Sequence, residues 1–218
     1  MGWFAQALIT GITSFIATNI DDIVILMLFF AQVNTTFRPK HIVIGQYLGF
    51  TVLILASLPG FFGGLIIPRE WIGLLGFVPI AIGISQFFNQ ESEAAQVQAV
   101  SSELNQPNTH LSKASIFASI LAPQSYQVAA VTFANGGDNI GIYVPLFASS
   151  NLTTLGIFLI VFFVMVGVWC SIAYYLTRHQ TVAYVLTRYG KTIVPFVLIG
   201  LGIFILVESE TYHLLLWF

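Results

Sequence analysis

The stretches ATNIDDIV at 17–24 and FANGGDNI at 133–140 decide how this chain is read. Each sets aspartate and asparagine, with threonine or glycine beside them, inside a run of residues otherwise fit for lipid. A carboxylate at the centre of a membrane helix costs about 2.5–3.5 kcal/mol on insertion scales, so Asp21, Asp22 and Asp138 call for a reason. Laid over each other with a shift of 117 residues, the stretches put Asp138 on Asp21 and Asn139 on Asp22. Ala134, Ile140, Ile142, Phe147 and Ala148 then meet Ala17, Ile23, Ile25, Phe30 and Ala31, so with the aspartate six of fifteen positions are identical.

Around these stretches the chain is 57% apolar and 7% charged with a mean hydropathy of +0.88. Soluble domains run at roughly 45–50% apolar and about 25% charged, so the composition is that of an integral membrane protein. Seven Lys and Arg against nine Asp and Glu leave a net charge of -2, which offers no basic surface for nucleic acid. The single Cys170 excludes an intrachain disulfide and a Cys-rich metal centre. Met1 to Trp3 carries no basic residue and the apolar stretch behind it outruns a signal-peptide core, so the first segment is expected to remain in the mature chain.

A spanning helix needs about 20 apolar residues. Six runs qualify, near 4–32, 42–66, 71–88, 115–149, 152–176 and 191–208. The first and fourth are too long for one straight span and must tilt, break, or begin at the interface. Strand-length alternation is absent, which argues against a barrel. The sequence therefore predicts an all-α integral membrane protein of six transmembrane helices. Three helices per half is an odd number, so the repeated halves must be inverted, as in many secondary transporters, with helices 1 and 4 broken.

The halves are residues 1–88 and 115–218, joined by a polar linker at 89–114 too poor in apolar mass to build a core. Placing the N-terminus outside puts Arg38, Lys40, Lys113, Arg178, Arg188 and Lys191 on the cytoplasmic side and only Arg69 opposite. Both termini are then extracytoplasmic, the linker is cytoplasmic, and Trp3, Trp71 and Trp217 sit at run ends as interfacial anchors. Kinks are expected at Pro59, Pro79, Pro123, Pro145 and Pro195, and an interfacial turn at Gln124–Gln127. His41, His110, His179 and His213 fall in loops or ends, outside any central site.

No Lys or Arg lies inside a predicted span to pair with the aspartates, so the partner expected is a cation or a proton. Neighbours in a regular helix point about 100° apart, and Asp21 and Asp22 can serve one ion only if the backbone loosens. Gly136 and Gly137 supply that loosening in the second copy, and an unwound turn bares carbonyl oxygens. Asn135, Asn139, Thr18 and Asn19 add neutral oxygens, although Thr18 and Asn19 could equally just bridge helices. The candidate metal ligands are Asp21, Asp22, Asp138, Asn139 and Asn135, with Thr18, Asn19, Gly136 and Gly137 as additions. Asp22, Asp21 and Asp138 are the candidate proton carriers. Such an oxygen-rich set suits a divalent cation. Cys170 reads as a core residue ahead of a soft ligand.

IATNIDDIVILMLFF at 16–30 and FANGGDNIGIYVPLF at 133–147 resemble the paired signatures of the CadD-type cadmium resistance transporters of the LysE superfamily. The resemblance extends over nearly the whole chain and implies a cadmium exporter of the cytoplasmic (inner) membrane, driven by protons. It carries ion handling onto Asp21, Asp22, Asn135, Asp138 and Asn139. No resident cofactor is implied. The expected partners are a divalent metal ion, protons and the bilayer, with no nucleic acid and a homodimer left open. Cd2+ is favoured as substrate; Mn2+, Zn2+, Mg2+ and Ca2+ suit oxygen ligands as well.

Two rivals stand beside this reading. An amino-acid exporter of the same superfamily would share the fold, but no span offers a positive partner for a carboxylate, leaving only helix N-termini. Two intramembrane aspartates also describe an aspartyl protease, an enzyme. Here Asn135 replaces the first glycine of that family's Gly-x-Gly-Asp motif, and Ile20 precedes Asp21 where a tyrosine is required.

Overall fold

The computed structural model describes residues 2–88, 122–177 and 195–211. The polar linker expected at 89–114 lies outside the described residues, as do Lys113, Arg178, Arg188, Lys191, His110, His179, His213 and Trp217. Among the described residues every regular element is helical. In chain order these are α1 (Gly2–Asn19), α2 (Asp22–Ala31), α3 (Pro39–Ile66), a short α4 (Arg69–Ile72) running into a 3-10 turn (Gly73–Gly76), α5 (Phe77–Phe88), α6 (Pro123–Asn135), α7 (Asn139–Ala148), α8 (Leu152–Leu176) and α9 (Pro195–Glu208).

Both long runs break where the polar stretches stand. α1 and α2 meet at a 60° bend across Ile20 and Asp21. α6 and α7 are separated by Gly136, Gly137 and Asp138. The 117-residue shift lays α2 onto α7 end for end, Asp22 on Asn139 and Ala31 on Ala148, with Asp21 and Asp138 each standing just before the second half-helix. α3 and α8 are each long and apolar enough to cross a membrane, and α1 with α2 makes a third such span if the bent pair counts as one. Gly73–Ser85, Asn139–Ala148 and Pro195–Glu208 are apolar but shorter than a span. The third predicted run is thus divided by the 3-10 turn.

Local chemistry sets the helix ends. Asn34 Oδ1 accepts from the backbone N–H groups of Thr36 at 2.9 Å and Phe37 at 2.8 Å, turning the chain ahead of Pro39 at the first position of α3. Asn151 caps α8 by accepting from the Thr154 N–H at 2.8 Å. Pro123, expected to kink a helix, instead opens α6 at a position where its missing N–H has no intrahelical partner to lose. Gln124–Gln127 accordingly form the first turn of α6 rather than an interfacial turn, and Ser125 is fully buried. Pro59 lies inside an unbroken α3. His41, read as a loop residue, belongs to the first turn of α3, where its Nδ1 accepts from the Arg38 N–H at 3.3 Å.

The spine of the fold is α3, which packs most extensively against α6 and α7. Its sequence carries two small-xxx-small pairs, Gly45 with Gly49 and Gly60 with Gly64, which let a neighbouring backbone approach closely. A Cβ on Gly45 would fall 2.6 Å from the Ser125 carbonyl oxygen, and one on Gly49 2.6 Å from that of Ala129, both in α6. The second pair serves α7: a Cβ on Gly60 would sit 2.5 Å from the Val144 oxygen, and one on Gly64 would collide with Ala148. One unbroken helix therefore carries a separate glycine seat for each arm of a broken one. The 3-10 turn and α5 meet α9 in the same way, where Gly76 and Gly202 face each other's carbonyls.

Beside this spine, Phe15, Phe50, Tyr143 and Phe162 pack ring to ring, the Tyr143–Phe162 centroids 5.0 Å apart and the Phe15–Phe50 centroids 5.6 Å apart. Such pairs each add about 0.5–1.5 kcal/mol beyond the area they bury. Large apolar side chains such as Ile66, Leu152, Ile160 and Tyr175 point outward, as a lipid-facing surface requires.

The glycine seats predict a position-specific result. Gly64→Leu should overpack the α3–α7 contact by at least about 1–3 kcal/mol and aggregate or lower the apparent Tm in detergent. Gly63→Leu should behave like the unaltered protein, because a Cβ there meets nothing within 4 Å. Size-exclusion profiles and thermal melts of the two variants side by side make the check.

Candidate metal centre at the helix breaks

The start of α2 and the end of α6 meet through Asp22. Its side chain is buried, and each carboxylate oxygen takes an amide: Asn135 Nδ2 donates to Oδ1 at 2.7 Å and Gln46 Nε2 to Oδ2 at 3.1 Å. The far end of the Gln46 amide is held as well, since the Thr132 hydroxyl donates to Oε1 at 2.6 Å. Asp22, Gln46, Thr132 and Asn135 thus form one chain of hydrogen bonds from three helices, α2, α3 and α6. The donors that reach Asp22 are neutral. A buried carboxylate normally has a cation or several donors, because its desolvation in a low-dielectric interior is otherwise uncompensated.

A second polar cluster lies on the other side of the first break and is wholly neutral. Asn19 Nδ2 donates to the Tyr143 hydroxyl at 2.9 Å, and that hydroxyl shares a hydrogen bond with Thr18 Oγ1 at 2.7 Å. Thr18 Oγ1 in turn donates to the Ser14 carbonyl at 3.0 Å. The indole of Trp169, on α8, donates to the Asn19 carbonyl at 2.6 Å, satisfying an acceptor freed by the end of α1. Thr18 and Asn19 therefore do bridge helices. Asn19 Oδ1 and, at the second break, Asn139 Nδ2 are buried with no hydrogen-bond partner among the described residues.

The remaining candidates are distributed around these clusters. Asp21 is half-buried and Asp138 exposed, and both lie close enough to act electrostatically on Asp22. Among the described residues, no three His, Cys, Asp or Glu side chains gather closely enough to hold a metal ion between them. Gly136 is buried against Leu53, where a Cβ would collide, whereas Gly137 is exposed and open. Gly136 thus answers to packing, whereas neither a left-handed backbone nor a close contact requires a glycine at 137. Cys170 is buried on α8.

Gln46, Thr132, Tyr143 and Trp169 were not among the sequence-predicted site residues. A signal existed for one of them, since Gln46 stands between Gly45 and Gly49, where a close helix crossing brings any polar side chain onto the neighbouring backbone.

The sequence model of one family, described as cadmium resistance transporter, matches residues 15–218. Comparison with curated proteins and with solved structures gives no match.

The neutral cluster carries its own prediction. Tyr143→Phe removes the hydroxyl that joins Thr18 and Asn19 while keeping the ring in its aromatic stack, and should cost about 1 kcal/mol. In a chain of this size that reads as a fall of about 2–4 °C in apparent Tm. An unchanged melt would remove the hydroxyl from the account of how the first break is held.

Proposed function

The chain belongs to the cadmium resistance transporter family, and from that premise we propose that it exports a divalent metal cation, Cd2+ first among candidates, from the cytoplasm in exchange for protons. The family is one of transporters, and the apolar helices make the chain a membrane protein. The observation that carries the finer reading is Asp22, a buried carboxylate joining the two helix breaks and held, among the described residues, by the amide N–H groups of Asn135 and Gln46. A structural carboxylate there would gain from a fixed Lys or Arg. One kept among neutral amides is left able to take up a cation or a proton, whichever is supplied.

The architecture invoked is six spans in two inverted repeats, which the end-for-end correspondence of α2 and α7 supports. On this reading metal enters from the cytoplasm between the halves, meets Asp22 with Asn135 beside it, and draws on Asp21, Asp138 and Asn139 as the halves rock. Thr18, Asn19, Gly136 and Gly137 shape the breaks. Protons arriving from outside discharge the carboxylates and reset them. Oxygen ligands, part charged and part neutral, are the donor set such a site offers, and with few carboxylates its charge stays near balance with a +2 ion. The orientation goes with it: an inner-membrane protein with both termini extracytoplasmic.

Everted proteoliposomes test this directly. With an acid lumen they should accumulate Cd2+, and collapsing the pH gradient should stop the accumulation. A panel of Zn2+, Mn2+, Mg2+ and Ca2+ then ranks the substrates. Asp22→Asn should cut the initial rate by about tenfold or more while the protein stays monodisperse. If no divalent cation moves but a labelled amino acid does, the metal reading fails; if Cd2+ moves regardless of the gradient, proton exchange fails.

A further inference from the structure

We propose that Gln46 is a ligand of the transported cation in its loaded state, delivered by a half-turn of its side-chain amide for which the Thr132 hydroxyl is the pivot. The inference rests on the reading of Asp22 as the ion-handling carboxylate. Both oxygens of Asp22 point at amide N–H groups, from Asn135 at 2.7 Å and Gln46 at 3.1 Å. Each carboxylate oxygen has a second lone pair, so a cation can join these donors at Asp22, and an oxygen facing that cation is then more favourable than an N–H. A cap that can turn its oxygen toward the ion therefore gains over one that cannot.

An amide differs from any other cap in carrying an acceptor at its other end. A half-turn about the last side-chain bond exchanges N–H for C=O at nearly the same place, and a donor to Asp22 becomes a ligand to the ion beside it. For Gln46 the turn would normally strand Oε1, the oxygen now satisfied by Thr132 at 2.6 Å. A hydroxyl can both donate and accept. Thr132 donates to Oε1 in the present state and accepts from Nε2 after the turn, so the buried amide is satisfied in both.

The helix packing holds this pair together. Gln46 is buried on the unbroken α3, between Gly45 and Gly49. A Cβ on Gly49 would come within 2.7 Å of Thr132 Cβ, so the glycine seat that admits α6 also brings the threonine to Gln46. Gln46 would then add a neutral oxygen from a rigid helix to ligands that otherwise come from the broken ones.

The experiment measures Cd2+ uptake into acid-lumen everted vesicles at varied Cd2+. For Gln46→Leu the half-saturating concentration should rise by about tenfold or more, with the maximal rate changed less. Moving the carboxylate across the hydrogen bond, in the Asp22→Asn/Gln46→Glu double variant, should restore uptake well above that of Asp22→Asn alone. Thr132→Val should raise half-saturation by about tenfold, and Thr132→Ser, which keeps the hydroxyl, should return it to the unaltered value. The proposal is overturned if Gln46→Leu keeps ordinary half-saturation, or if the double variant, monodisperse in detergent, transports no better than Asp22→Asn. Uptake by the unaltered protein with either of these results removes Gln46 and leaves the transport reading standing. No uptake by the unaltered protein removes both.

Discussion

The hydrogen bond from Asn135 to Asp22 is the interaction on which the arrangement of the two broken helices depends. Asp22 opens α2 and Asn135 closes α6, so the 2.7 Å contact brings the start of one half-helix to the end of another from the opposite half of the chain. A carboxylate buried in protein and surrounded by lipid has no water to fall back on, and losing a donor leaves a cost of several kcal/mol. The chain must therefore supply donors from elsewhere in the fold. Asn135 comes from α6 and Gln46 from α3, which fixes three elements relative to one charge.

That requirement explains why α3 looks as it does. To offer Gln46 to Asp22 and still lie flat against both arms of a broken helix, it has to bring backbone against backbone, and only residues without bulk permit this. Gly45 and Gly49 meet α6, Gly60 and Gly64 meet α7, and Gly63, which faces no neighbour, shows that the other four are placed by contact. The aromatic stack of Phe15, Phe50, Tyr143 and Phe162 then closes the side where no glycine seat is needed.

How far the sequence discloses all this varies with the kind of signal. The second break was legible because NGGDN combines two poor helix formers with polar residues in an apolar run. The first contains no glycine or proline, and it was signalled instead by the excess length of its run, by the adjacent Asp21 and Asp22, and by its alignment on the second. Asp22 with Asn135 was legible as chemistry, since charge in lipid demands explanation. Thr132 was not, because a single neutral polar residue in a membrane helix is ordinary until its neighbours are known, and Gln46 was marked only by its place between Gly45 and Gly49. Trp169 was hidden for a different reason: its partner is a backbone carbonyl, freed only because α1 stops where it does. Within the third apolar run the tightening of Gly73–Gly76 into a 3-10 turn was not legible, since apolar composition does not register it.

The two aligned stretches share a helix break but not a chemistry, and the difference falls on identifiable residues. Under the 117-residue shift, Asp22 meets Asn139 and Asn135 meets Thr18, so the pair that carries charge in one place is neutral in the other. The residues that support Asp22 diverge further: Gln46 lies over Phe163, and Thr132 over Phe15. Conversely Tyr143, the hub of the neutral cluster, lies over Leu26. A cluster made of Thr18, Asn19, Tyr143 and Trp169 holds no carboxylate, so its hydrogen bonds do not depend on a charge within it. The cluster at Asp22 consists of a carboxylate and two amides whose donors depend on that charge. One cluster at the breaks is therefore held by neutral contacts, and the other centres on a carboxylate whose donors come from α3 and α6.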